Sequence, residues 1–352
     1  MKPLKIAPEL LNDPEVRAIA RRLINDAAVR SIGQVRLDGR WVRMDADVAT
    51  AYVARQLEHV KAQTYDVKKA ALKARIFLPV SFEAHPGAQV ISYDQWDSWG
   101  EAEIADSYSK DAPRVDVEKK NFPTKVFGLR SSYGYDIQDL RAAMMSGSNI
   151  DEIRGMQARR SIEAKLDKIM AQGDVRIGRT GFVNDANVPT FAGTAPSWSF
   201  ATPAQTMFRG LNAIAAQVVT QTNQVESPNS ILFPTAAFQI VTGNTFGTDN
   251  PETILSAWLR NNPYGVRFAD QWTELDGAGA GDADRIVCYT RDKRVAEVEI
   301  SQDYEEFPPE MRGLEFLTQC HMRTAGTVFR YPKAAVYADG TFDVTDYEVA
   351  AS

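Results

Sequence analysis

Residues 151–174 read DEIRGMQARRSIEAKLDKIMAQGD, and this stretch decides how the chain is read. Ala158, Ile162, Leu166, Ile169 and Met170 follow steps of four, four, three and one, which places them on one stripe of an α-helix. Arg160, Ser161, Glu163, Asp167 and Lys168 fall on the other side, and Arg159 and Glu163 form an i,i+4 pair of opposite charge. At ~1.5 Å per residue, a helix over 151–172 is roughly 33 Å long, the width of a small domain. Gly173 supplies a left-handed cap. The pattern predicts a beam packed on one face and wet on the other, with the five apolar residues as its core. It carries no recognisable catalytic residue.

Before the beam, residues 136–146 read as a short helix ended by SGSN. Further upstream, QVISY and TKVFGLRSSYGY are strand patterns on either side of a polar stretch, 99–123, with six acidic and four basic residues. That stretch is too polar for a core and predicts the tip of an extended hairpin. After the beam, GDVRIGRTGFVNDANVP is glycine-punctuated turn chemistry. Three helices are expected next: one with Thr202 as N-cap and Pro203 at N1, one following the buried strand SILFP, and one with Asn250 as cap and Pro251 at N1. GVRFADQWTEL and DRIVCYTRD read as strands joined by DGAGAGDA, and the chain closes strand-rich. Helices and strands interleave, so the fold class is α+β.

The N-terminal segment differs from the rest. Residues 8–27 and 45–75 have helical spacing, and IGQVRLDGRWVRM between them reads strand–turn–strand at Asp38-Gly39. Residues 1–80 carry a net +6 within a chain of net −6. With few large apolar residues, this segment predicts an arm that docks elsewhere, its Arg17, Arg21 and Arg22 at the rim of the contact. The start MKPLKIAPELLNDPEV has no apolar h-region, and no stretch is suited to span a bilayer.

Chemistry is sparse. His59, His85 and His321 are scattered, and there is no HExxH, GxSxG, Walker A sequence or strand-linked GxGxxG. GAGAGDAD (277–284) lacks the Lys-Ser/Thr of a phosphate loop, and DADR and DNPE read as solvated loops rather than a metal site. Cys288 and Cys320 are far apart, with no zinc spacing. Cys320 and His321 are neighbours that a strand would point to opposite faces. No catalytic residue, metal or cofactor is therefore expected.

AQGDVRIGRTGFVND (171–185), SILFPTAAFQIVT (230–242) and CHMRTAGTVFRYPKAAVY (320–337), in this order after a polar hairpin and a long helix, resemble the major capsid proteins of tailed bacteriophages. These have the Hong Kong ninety-seven-type fold, and the likeness is to its encapsulin-like branch, from about residue 76 onward. The resemblance implies an N-terminal arm (1–75), a peripheral domain (76–94, 124–204 and 321–352) holding the spine helix, an extended loop (95–123) over a neighbouring subunit, and an axial domain (205–320). It implies self-assembly into hexamers and pentamers of an icosahedral shell around double-stranded DNA held by non-specific electrostatic contact. Portal and possible scaffolding or decoration proteins would be partners, with assembly in the host bacterial cytoplasm and residence in the virion. Inter-subunit contacts are expected at Arg17, Arg21 and Arg22 of the arm and at Glu103, Asp106, Lys110, Arg114, Lys119 and Lys120 of the loop. Some relatives crosslink a loop lysine to a neighbour's asparagine, but nothing marks Lys110, Lys119 or Lys120 as a nucleophile. The chain begins at Met1, so removal of a leading scaffold segment is not expected either. An encapsulin nanocompartment shell is the alternative within this architecture, and an uncharacterised soluble α/β enzyme is the alternative outside it.

Overall fold

The computed structural model describes residues 34–37, 40–43, 71–102, 114–146, 150–247 and 250–345. Met1–Ala70 and Ala71–Ser352 form separate compact units. In the first, β1 (Gln34–Leu37) and β2 (Arg40–Arg43) pair antiparallel from Gln34↔Arg43 to Leu37↔Arg40, the strand pairing expected around Asp38-Gly39. The helix expected over 8–27 and most of the one expected over 45–75 lie outside the described residues, as do Arg17, Arg21 and Arg22; of 71–75, only the last two residues are helical.

The second unit starts with α1 (Ala74–Phe77) and β3 (Val80–Ser81). Two ten-residue strands follow, β4 (Val90–Trp99) and β5 (Asp116–Lys125), then β6 (Phe127–Asp136) and α2 (Ile137–Ser146). The beam is α3 (Ile150–Gln172). Ala158, Ile162, Leu166, Ile169 and Met170 are all buried. They face a sheet in which β17 (Glu315–Phe329) pairs antiparallel with β6, with β16 (Glu310–Arg312) and with β15 (Ala296–Glu306), while β3 adds parallel to β15. Orphan carbonyls at the end of α3 are satisfied from the chain it packs on. Phe182 N–H and Thr327 Oγ1–H both donate to Met170 O, at 2.9 and 2.8 Å, and Val183 N–H donates to Ala171 O at 2.9 Å. Gly173 has φ 77° at the start of β7 (Gly173–Asp174), which pairs antiparallel with β8 (Arg179–Thr180), and a Cβ there would lie 2.1 Å from Arg179 O. The left-handed turn and the close approach both require glycine.

A second sheet runs β13 (Phe268–Gln271), β10 (Ser230–Phe233), β14 (Asp284–Tyr289), β18 (Ala335–Asp343), β9 (Ser197–Ser199). Its alternation divides the interior in two. Ile231, Phe233, Ile286, Cys288, Val336 and Ala338 face a core filled by α4 (Ala204–Gln221), α5 (Thr235–Gly243) and α6 (Ile254–Asn261). Leu232, Val287, Tyr289, Ala335 and Tyr337 face the core that holds the stripe of α3. Strands buried on both faces read as continuous apolar runs, as SILF and IVCY do.

Four expectations change. Asp167, placed on the wet face, is 8% exposed because its carboxylate accepts the Ala74 N–H at 2.8 Å, capping α1. Thr202 does not cap α4; its hydroxyl accepts Ser199 N–H at 2.9 Å, closing the turn after β9, and Pro203 is the N-cap. Asn250 and Pro251 lie in a short strand, β12 (Asn250–Thr253), paired with β11 (Thr245–Gly247). Thr253 caps α6 by accepting Ser256 N–H at 3.3 Å. A domain boundary at residue 320 also differs from the packing. β15 and the whole of β17 lie on the sheet of α3, while β18, expected as the closing strand of the peripheral part, sits inside the second sheet between β14 and β9. Hydrophobic periodicity cannot distinguish which of two cores a strand joins.

Candidate assembly surfaces

β4 and β5 form a ribbon of their own, in unbroken register from Val90↔Lys125 to Trp99↔Asp116. Ten residues at about 3.4 Å each give roughly 34 Å of ribbon. Much of the stretch expected as loop is thus strand, and residues 103–113, with Glu103, Asp106 and Lys110, lie outside the described residues. Opposed residues share a face, so Trp96 with Lys119 lies on one face and Trp99 with Asp116 on the other. These tryptophans are 65% and 64% exposed. Val115 and Val117 are exposed beside them. A ribbon lying on its own body would cover one face; here both faces carry a bare aromatic ring.

Inside the ribbon, Lys119 Nζ lies 2.5 Å from Asp94 Oδ2 and 5.4 Å from the centre of the Trp96 ring. Asn121 Nδ2–H donates to the other Asp94 oxygen at 2.7 Å, and these partners hold the Asp94 carboxyl below its usual range. Lys120 is 3.7 Å from Glu118, a loose surface pair, and Arg114 is exposed just before β5. Lys119 and Lys120 occupy opposite faces. The structure therefore brings Lys119 together with Asp94 and Trp96, and separates it from Lys120.

The root is tied to the body by aromatic and charged groups. Tyr93 stacks on Phe122 with centroids 5.2 Å apart, and its hydroxyl donates to Phe329 O at 3.4 Å. The Arg330 guanidinium covers the Tyr93 ring at 5.3 Å, and Arg179 donates to Thr124 Oγ1 at 3.4 Å. A cavity of about 340 Å³ lies here, lined by Glu83, Tyr93, Thr124, Glu299, Val328 and Arg330 among others.

Two further ionic ties fix the body that presents the ribbon. Arg285 and Asp339, directly opposed on β14 and β18, bond in bidentate fashion (2.6 and 2.8 Å), and Arg285 also donates to Val183 O at 2.6 Å. Burial alone would raise the Asp339 carboxyl; the guanidinium and the Ala280 N–H outweigh it and hold the group low. Where residue 71 enters the body, Lys73 Nζ pairs with Asp270 at 2.9 Å and donates to Gln271 O at 3.0 Å, beside the cap of Asp167 on Ala74 N–H. Burial raises the Asp167 carboxyl above its ordinary value, and the Ala74 and Lys73 N–H groups partly offset it. Sequence reasoning missed these ties. The one visible signal was the charge of Arg285 set within an apolar strand, in DRIVCY.

Cys288 and Cys320 are free and buried, and burial raises both thiols. Among the described residues, no three His, Cys, Asp or Glu side chains converge as a metal site, and no helix is long and apolar enough to cross a membrane.

Residues 100–341 match the sequence model of the major capsid protein family. No curated protein matches the chain by sequence. Among solved structures, the fold is similar to the capsid of Myoviridae phage XM1, with TM-score 0.72 and 16% identity, covering 82% of this chain and 98% of that one. It is also similar to structures from Mycobacterium phage Che8 (TM-score 0.54, 13% identity, 80% and 95% covered) and Gordonia phage Cozz (0.55, 11%, 88% and 99%). At these identities the likeness shows the fold, the α+β Hong Kong ninety-seven type. The family match spans well over half of the sequence, and with it the two-core body and its bare ribbon fall into place as a structural, shell-forming subunit: the chain belongs to the major capsid protein family.

Proposed function

We propose that this chain assembles, as hexamers and pentamers, into the icosahedral shell that encloses the double-stranded DNA of a tailed phage, with the β4–β5 ribbon laid between neighbouring subunits. The observation that carries this reading is the ribbon itself. It has bare tryptophans on both faces and, among the described residues, no third strand, which suits a surface completed by a neighbouring subunit. Repeated round closed symmetry, many modest contacts make a stable wall without one tight interface. In this reading the body divides into a peripheral domain on α3 and an axial domain built on the β13–β10–β14–β18–β9 sheet. The basic arm docks on the acidic surface of a neighbour, with Arg17, Arg21 and Arg22 at the rim of that contact, and Glu103, Asp106, Lys110, Arg114, Lys119 and Lys120 meet adjacent copies. Assembly takes place in the host bacterial cytoplasm. The subunit works as a structural element rather than an enzyme, and DNA is held electrostatically without sequence reading. Portal and scaffolding or decoration proteins are further partners in this reading. The matched family and structures give no better support to an encapsulin compartment.

Electron microscopy of the purified protein tests this. Wild type should form closed shells. The double variant Trp96→Ser, Trp99→Ser should keep its unfolding free energy within ~0.5 kcal/mol, as surface changes do, and lose closed shells. Normal shells from the double variant would remove the ribbon from the interface.

A further inference from the structure

Glu297 and Glu299 lie two residues apart on β15, on the face opposite Val298 and Ile300, which belong to the core of α3. Both carboxylates are nearly buried, 5% and 6% exposed. Among the described residues, one cation reaches either of them, and it is the same one. Arg330 Nη2 bonds Glu297 closely and lies 3.4 Å from Glu299. The remaining reach of this guanidinium goes to Lys293 O at 2.7 Å and to the face of Tyr93, the ribbon residue at the root cavity. Two buried negative charges thus share one positive charge, at the point where the ribbon meets the body. Removing charges from water is costly unless each is compensated, so full ionisation of this triad is opposed by the closed geometry.

We propose that Arg330 is the positioning residue of the ribbon, forming with Glu297 and Glu299 an ionic latch that holds the ribbon's root while one carboxylate is protonated and loosens when both are ionised. The groups facing the latch agree with this. Glu83 lines the same cavity beyond β3, and Arg179 is beside Tyr93. Ser81, on β3, faces Glu299 and is buried. Burial raises the Glu299 carboxyl to about 7, reinforced by the neighbouring Glu297, while Ser81 and Arg330 pull the other way. An open root returns Glu299 to water and to its ordinary value of 4.5. Between these values the closed root holds a proton that the open root has released. Closure is therefore strongest in mild acid and weakens as pH rises, levelling off above about 7. Each unit of difference is tenfold in the opening equilibrium, so the change is on the order of 100-fold.

The latch deepens the reading of the ribbon as a clasp, but its test does not use assembly, so the two can fail separately. Hydrogen exchange of the full-length protein, corrected for intrinsic rates, is followed from pH 4.5 to 8 at residues 90–93 and 122–126. Residues 211–218 of α4, in the other core, serve as the folding control. Wild type should lose protection at the root on the order of 100-fold across this range, with the control unchanged in relative terms. Glu299→Gln should stay protected and flat with pH. Arg330→Ala should lose root protection at every pH, and Arg330→Lys should restore part of it. A flat wild-type profile, or a Glu299→Gln profile that still follows wild type, overturns the latch. So does an Arg330→Ala root as protected as wild type.

Discussion

The five-stranded sheet and the β4–β5 ribbon are made of similar strand material and end in opposite conditions. The sheet buries both faces, with Ile286 and Cys288 turned to one core and Val287 and Tyr289 to the other. Beyond its root, where Thr124 is buried, the ribbon buries neither: most of its residues are exposed, and a bare tryptophan sits on each face. A two-stranded ribbon is marginal alone, since it has no apolar layer to keep from water. The sheet is thus stabilised by its own chain, whereas in the proposed reading the ribbon is completed by a neighbouring subunit. In that reading the first governs whether the subunit folds, the second whether subunits join.

This contrast can be broken from the folding side. Leu166 is 1% exposed within the stripe of α3, so Leu166→Asp should cost several kcal/mol and abolish cooperative urea unfolding. Glu163, paired with Arg159 at 3.1 Å on the surface, should tolerate Glu163→Gln within ~0.5 kcal/mol. Comparable losses from both would mean that the helix is buried all round.

A smaller loss is expected at the tie between β14 and β18. Asp339→Ala leaves Arg285 buried without its counter-ion and should cost about 3–5 kcal/mol in denaturant unfolding at pH 7. The Asp339 carboxyl is depressed in the folded state, so its contribution is present above its unfolded value of ~3.9 and is lost as pH falls through the lower folded one. The gap between variant and wild type should therefore close in acid; a gap independent of pH would assign the loss to packing.

The smallest effect belongs to Asp167. Its folded carboxyl is raised, so wild-type stability should decline as pH climbs from about 3.9 through that raised value. Asp167→Asn keeps an acceptor for Ala74 N–H and removes the slope, with a net change within ~1 kcal/mol at pH 7. An unchanged slope would mean that other carboxylates produce it.

What was legible in the sequence follows from local physics. The stripe of α3 and the left-handed Gly173 are written in spacing and residue type, and the structure shows both. Asp167 was misplaced because helical spacing assigns faces but cannot show that Ala74, 93 residues away in sequence, brings an N–H needing an acceptor. Glu297 and Glu299 alternate with Val298 and Ile300, which reads as an outward charged face; their burial comes from Arg330 and the ribbon root closing over that face. Ties between distant segments have no periodicity to announce them. For the same reason the sequence could not reveal that β18 enters one sheet while β15 joins the other.

In the proposed function the ribbon serves assembly and not the fold. Replacing residues 95–120 with an Asn-Gly turn would close the hairpin between Asp94 and Asn121, which already face each other in register. The unfolding midpoint of this protein and its particles under the electron microscope are measured side by side with wild type. The account predicts an unchanged midpoint and no closed shells. A subunit that no longer folds, or one that still builds normal shells, would contradict it.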